Sequence, residues 1–131
     1  MMSTDLEAAR RHYRQREVRR RAERETERQR WLQRVREAVS RVARLCPGVR
    51  QVFLFGSLVQ PGRFRPNSDI DVALECDTLE TESMFWRALE QELGRDVDVR
   101  PLSGIIAEVV MSEGELVYGR QDTHPGEQYS P

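Results

Sequence analysis

Hydrophobic positions in this chain change their period between its first third and the rest. From Asp5 to Cys46 there is no Gly or Pro, and the stretch is rich in Arg, Glu, Gln and Ala, all good helix formers. Within it, Leu32, Val35, Val39 and Val42, then Leu45 or Cys46, recur at steps of three and four residues. That spacing describes one face of a helix, widened by Trp31 and Ala38 and stopped by Pro47-Gly48. Between Asp5 and Trp31 the only sizeable apolar residues are Leu6, Tyr13 and Val18. The same helix should therefore continue there as a solvated, Arg/Glu-rich rod that cannot bury itself alone. Pairs such as Glu17–Arg21 and Glu23–Arg28 stand at or near helical spacing and would lace its surface. No heptad is sustained, so a coiled coil is not expected.

After Pro47-Gly48 the pattern shortens to strand length. "RQVFLF", Arg50 to Phe55, is a continuous apolar run and predicts a strand covered on both faces. Gly56-Ser57 breaks it. Residues 58–68 carry Pro61, Gly62, Pro66 and Asn67 and read as a loop with at most one helical turn. Asp69 to Glu75 alternates cleanly, with Asp69, Asp71 and Ala73 on one face and Ile70, Val72 and Leu74 on the other. A helix is predicted from Thr81 to Leu93 on the stripe Phe85, Leu89, Leu93, with Trp86 and Ala88 beside it and Gly94 as its stop. Asp96 to Arg100 reads as a third short strand, "SGIIAEVVMSEG" as a last short helix, and "ELVYG" as a closing strand. The implied fold class is α/β (α+β): a small mixed β-sheet flanked by helices, with a long charged N-terminal helix. The expected division is a helical extension over residues 1–30, a domain over 31–120 and a disordered tail over 121–131.

Charge adds an asymmetry that the net value of −1 conceals. Residues 1–50 carry 15 arginines against 7 acidic residues, and residues 51–131 carry 6 against 15. There is no lysine; all 21 basic residues are arginine. No run is long and apolar enough to span a membrane, and the N-terminus lacks the apolar segment of a secretory signal, so a cytoplasmic protein is expected. Cys46 and Cys76 stand thirty residues apart without a paired-cysteine motif, which predicts two partly buried thiols rather than a disulfide or a zinc site.

The chemistry concentrates in "FLFGSLVQPGRFRPNSDIDVALE", Phe53 to Glu75. Residues i and i+2 of a strand share a face, with α-carbons about 6–7 Å apart. Asp69 and Asp71 thus project side by side, which is unfavourable unless a proton or a cation stands between them. Hard oxygen ligands on a rigid face suit Mg²⁺. If Val97 and Val99 face the core, Asp96 and Asp98 face the same way as that pair, and either could complete a two-metal site for in-line phosphoryl transfer. Gly56-Ser57 directly after a strand lets backbone N–H groups approach a polyphosphate, and the serine hydroxyl adds a donor.

At these residues the chain resembles the minimal nucleotidyltransferases (MNT type) of the DNA polymerase beta superfamily. The likeness rests on "LFGS…SDIDVALE", "GRDVDVR" and "IIAEVVMSEGELVYG" and spans Trp31 to Tyr118. It implies the nucleotidyltransferase fold, ATP as substrate and Mg²⁺ at up to two sites. It implies that Gly56 and Ser57 hold the triphosphate, that Asp69 and Asp71 bind metal, and that Ser68 is the serine that commonly precedes them. It selects Asp98 over Asp96 as the third acid, a metal ligand or general base. Many relatives read Gly-Ser-x-Ala-Arg-Gly, whereas here Gln60 takes the arginine's place, with Arg63 or Arg65 as substitutes. Small members of this family often pair with a HEPN-domain protein encoded beside them, as antitoxin to its toxin, and some transfer AMP onto a partner tyrosine.

Two readings follow. One is an Mg²⁺-dependent adenylyltransferase acting on a hydroxyl of a protein acceptor, the antitoxin of a HEPN/MNT pair. The other is a non-catalytic protein of the same fold that neutralises its partner by contact. For the Arg-rich helix, self-association or partner docking is expected rather than nucleic-acid binding, because glutamates interleave the arginines and stacking aromatics are scarce. His12, His124 and Tyr129 lie in the chain ends away from the acidic motif and receive no role.

Overall fold

The computed structural model describes residues 2–119, the side chains of Met2 and Ser3 excepted. The tail from residue 121, with His124 and Tyr129, lies outside the described residues. A single helix, α1, runs Met2–Leu45. At 1.5 Å per residue it is about 66 Å long. Its second half buries Leu32, Val35, Ala38, Val39, Val42 and Ala43, and Cys46 rather than Leu45 takes the last core position; Leu45 is exposed.

Four strands follow: β1 (Val49–Phe55), β2 (Ile70–Cys76), β3 (Val97–Pro101) and β4 (Glu115–Tyr118). They form one mixed sheet in the order β3-β2-β1-β4. β1 pairs antiparallel with both β2 and β4, and β2 pairs parallel with β3. The parallel pair needs a crossover, which α2 (Leu79–Leu93) supplies. Thr78 caps α2 by accepting the Thr81 N–H, and Gly94 closes it in the left-handed conformation. This helix therefore starts two residues before the predicted Thr81. α3 (Gly104–Glu113) links β3 to β4.

The apolar run of β1 is explained by helices on both faces. Val52 and Leu54, with Ile70, Val72 and Leu74 of β2, join the main core under α1 and α2. Phe53, Phe55 and Ala73 face the other way, onto Val110 of α3. Asp71 shares that second face at its open end. Among the described residues no helix is long and apolar enough to cross a membrane. Both cysteines are free thiols.

Arginine fastens α1 to the rest of the domain. Arg36 makes a two-bond pair with Glu115 at 2.6 and 2.7 Å, Arg41 Nε reaches Glu92 at 2.7 Å, and Arg34 donates to the Leu93 carbonyl. Further back, in the half expected to be wholly solvated, Arg28 is 5% exposed. Its Nη1 donates to the Leu58 carbonyl at 2.8 Å, while Nε and Nη2 hold Glu25 at 2.9 and 2.6 Å. Glu25 in turn accepts from the Gly62 backbone. The ion pairs also differ from those read off the sequence. Glu17 pairs with Arg20 instead of Arg21, and Arg28 pairs with Glu25 instead of Glu23. Both observed pairs are i,i+3. The long arginine side chain can choose between neighbouring turns, and burial of Arg28 against Leu58 decides the second case.

These contacts predict a pH dependence. Arg28 and Gln29 hold the Glu25 carboxyl down at about 2. A carboxyl depressed in the folded state stabilises the fold above its ordinary range and loses that contribution as pH falls toward its folded value. In thermal melts, Glu25→Gln should be less stable than the parent at pH 7. The difference should shrink between pH 4.5 and 2.

Candidate active site

The site stands where the C-terminal end of β1 meets the N-terminal ends of β2 and β3. β1 ends at Phe55, opposite Asp71 in the antiparallel register. The chain then turns into a single 3-10 turn, Gly56–Val59, the one helical turn allowed by the sequence. Gly56 is required twice over. Its φ of +77° is left-handed, and a Cβ built on it would stand 2.1 Å from Asp71 Oδ2. The Asp71 carboxylate therefore lies directly against the Gly56 backbone, with Ser57 next in the turn.

The parallel register of β2 and β3 puts Asp71 opposite Asp98. Val97 and Val99 are buried, as the alternation required. α2 fixes where β3 begins: Trp86 Nε1 donates to the Val97 carbonyl at 2.7 Å and Glu90 accepts the Val97 N–H at 3.0 Å. Asp69 lies just ahead of β2. Burial raises the Asp71 pKa to about 6, helped by the charges of Asp98 and Asp69 and opposed by Arg100. The acids that bear on Asp71 are thus the two singled out with it. Asp96 is exposed just outside β3, and its backbone carbonyl accepts the Ile70 N–H.

The donor set is all carboxylate oxygen, and it fits a hard divalent cation in kind and in charge. Among the described residues, no three side chains of the ligating types already converge on one point. Asp98 accepts from Arg100 Nε at 3.1 and 3.3 Å. Arg100, to which the sequence assigned only a place in the third strand, is the counter-ion of Asp98. Its place two residues after Asp98 on the same strand face was the available signal.

The remaining expected residues are placed less simply. The Ser68 hydroxyl accepts the Arg65 N–H at 2.9 Å, so it shapes the loop before Asp69. Gln60 Nε2 donates to Glu113 at 2.9 Å, tying the turn to the end of α3. Of its two suggested substitutes, Arg65 spends Nη1 on the Gly62 and Phe64 carbonyls, whereas Arg63 is exposed.

Comparison with known proteins places the chain by family and by fold. The family model "Polymerase beta, Nucleotidyltransferase" matches residues 37–123. No curated protein matches the chain significantly. A crystal structure of a toxin–antitoxin with AMP-PNP is similar at 30% identity and a TM-score of 0.57, over 66% of this chain and 74% of that one. A mutant of the toxin–antitoxin MntA–HpeT is similar at 28% identity and a TM-score of 0.56, over the same shares. An MNT antitoxin complex with a tri-AMPylated Shewanella oneidensis HEPN toxin matches at 24% identity and a TM-score of 0.51, over 74% of this chain and 77% of that one, a likeness of fold. The matched residues contain the Gly56-Ser57 turn and all three aspartates, and the chain belongs to the polymerase beta nucleotidyltransferase family.

Proposed function

We propose that this nucleotidyltransferase is an Mg²⁺-dependent adenylyltransferase that moves AMP from ATP to a hydroxyl of a HEPN-domain protein, as the antitoxin of a cytoplasmic pair. The observation that carries the reading is the carboxylate corner: Asp71 in register with Asp98, Asp69 beside them, and the Gly56 backbone against Asp71. Support for the nucleotide and the partner comes from the similar structures, a toxin–antitoxin with AMP-PNP and a toxin–antitoxin MntA–HpeT mutant.

In this mechanism Asp69 and Asp71 would hold the metal, and Asp98, across from Asp71, serves as the base. Mg²⁺ held there would supply charge neutralisation for the phosphates. Backbone N–H groups at Gly56-Ser57 and the Ser57 hydroxyl carry the β- and γ-phosphates. Asp98 takes the proton of the acceptor hydroxyl as its oxygen bonds to the α-phosphorus. The bond from that phosphorus to the bridging oxygen breaks, and pyrophosphate leaves. Catalysis of this kind is mostly positioning and charge neutralisation.

One observation favours the contact-only reading: Gln60, at the place of the usual phosphate-side arginine, is engaged with Glu113. The two readings separate in one experiment. The protein is incubated with α-labelled ATP, Mg²⁺ and the HEPN-domain protein encoded beside it. Transfer of label to the partner is expected, with a loss of about a hundredfold or more, roughly 3 kcal/mol, in Asp69→Asn and in Asp71→Asn. Those variants should melt no lower than the parent without metal, because each removes a crowded charge. A partner silenced without label, and equally well by both variants, would establish neutralisation by contact.

Gly56→Ala should be harmful on two counts. The left-handed backbone costs about 1–2 kcal/mol for a residue with a side chain, and the new methyl displaces the Asp71 carboxylate. Chemical denaturation should show the lower stability, and label transfer should fall with it.

A further inference from the structure

Asp69 is the one acid of the corner that the sheet does not hold. β2 begins at Ile70, and the first paired residues of β2 and β3 are Ile70 and Val97. The position of Asp69 therefore depends on the loop that delivers it. That loop contains Pro61, Gly62, Pro66 and Asn67 and has no strand or helix of its own between Val59 and Ile70.

One side chain gathers the end of this loop. Arg95, between α2 and β3, points its guanidinium at three backbone carbonyls of the loop. Nη2 lies 3.0 Å from the Arg65 carbonyl, 2.8 Å from that of Pro66 and 2.7 Å from that of Ser68, and Nε lies 3.1 Å from the Ser68 carbonyl as well. The same group stacks on two aromatic rings, 4.7 Å from the centroid of Trp31 on α1 and 4.6 Å from that of Phe64 in the loop. Phe64 is itself buried in the main core. Planar stacking and a fork of donors are properties of guanidinium that an ammonium lacks. Burial lowers the Arg95 pKa, and the charges of Asp69 and Glu27 oppose that shift.

We infer that Arg95 is a positioning residue of the active site: by clamping the Arg65, Pro66 and Ser68 carbonyls against Trp31 and Phe64, it sets Asp69 beside Asp71 for the cation. This inference rests on the metal-binding reading above and adds a residue to it. Arg95 does not touch the reacting atoms. It acts through the backbone of Ser68, one bond before Asp69. It also couples α1 to the site, because Trp31 is one wall of its seat.

The test uses the full chain and the variants Arg95→Met and Arg95→Lys, with Leu89→Ala as a destabilised control from the core beneath α2. Two quantities are read without any turnover: amide hydrogen exchange over residues 65–70 in the metal-free protein, and Mn²⁺ affinity from the signal of the free ion. Arg95→Met should speed exchange in that segment and weaken Mn²⁺ binding about tenfold. Arg95→Lys should recover only part of either, since it supplies charge without the fork. Leu89→Ala should lower the melting temperature and leave Mn²⁺ affinity unchanged. Unaltered exchange in Arg95→Met would overturn the clamp. Faster exchange with full Mn²⁺ affinity would overturn the positioning role and leave Arg95 a loop fastener. A parent protein without Mn²⁺ affinity would overturn the metal-binding reading itself, and the inference with it.

Discussion

Like charges forced together on a rigid sheet are the constraint on which the rest of this structure turns. Asp71 is half-buried, opposite Asp98 across a parallel ladder and near Asp69. Its carboxyl is raised to about 6 by burial and by those neighbours. A fold under selection for stability alone would place apolar residues here, as it does at Ala73, one pleat further along the same face. The strand ends cannot relax the crowding, because β1 and β3 flank β2 and the register is tied down by α2 through Val97. Arg100 offsets part of it. A cation with higher charge density would offset more.

Around this corner, arginine does the fastening. Arg28 seats the helix on the turn after Gly56-Ser57, Arg36 and Arg41 pin its packed half to β4 and α2, and Arg95 binds the loop before Asp69. Each uses the donors of one planar group to hold carbonyls or a carboxylate from another part of the chain. The consequence is that α1 is more than an appendage. Through Arg28 it touches the proposed phosphate turn, and through Trp31 it forms part of the seat of Arg95. A molecule docking on the exposed Leu6–Val18 stretch would bear on the same rigid helix that contacts both.

The architecture was legible because its signals are local. Helix stripes at three and four residues, the two-residue alternation around Asp71, and the stops at Pro47-Gly48 and Gly94 each report a backbone preference that packing did not override. Alternation also assigned a face, since burying Val97 and Val99 leaves Asp96 and Asp98 on the acidic side; the parallel pairing and the register that sets Asp98 opposite Asp71 are seen only in the structure. What sequence could not show is the choice among equivalent arginines. Arg28 looks like its neighbours on a charged helix, and only the Leu58 carbonyl across the fold distinguishes it. The partner of Gln60 lies 53 residues away on α3, and the carbonyls held by Arg95 lie 27 to 30 residues back. Side-chain bonds to distant residues carry no periodicity, so no spacing announces them.

The central claim is that the carboxylate corner exists to hold a divalent cation against a nucleotide. Calorimetric titration of ATP into the protein, with and without Mg²⁺, tests it most directly, with the Asp69→Asn/Asp71→Asn double variant as control. The account predicts binding that requires Mg²⁺ and disappears in the double variant. Binding that is indifferent to Mg²⁺, or that survives loss of both aspartates, would contradict it.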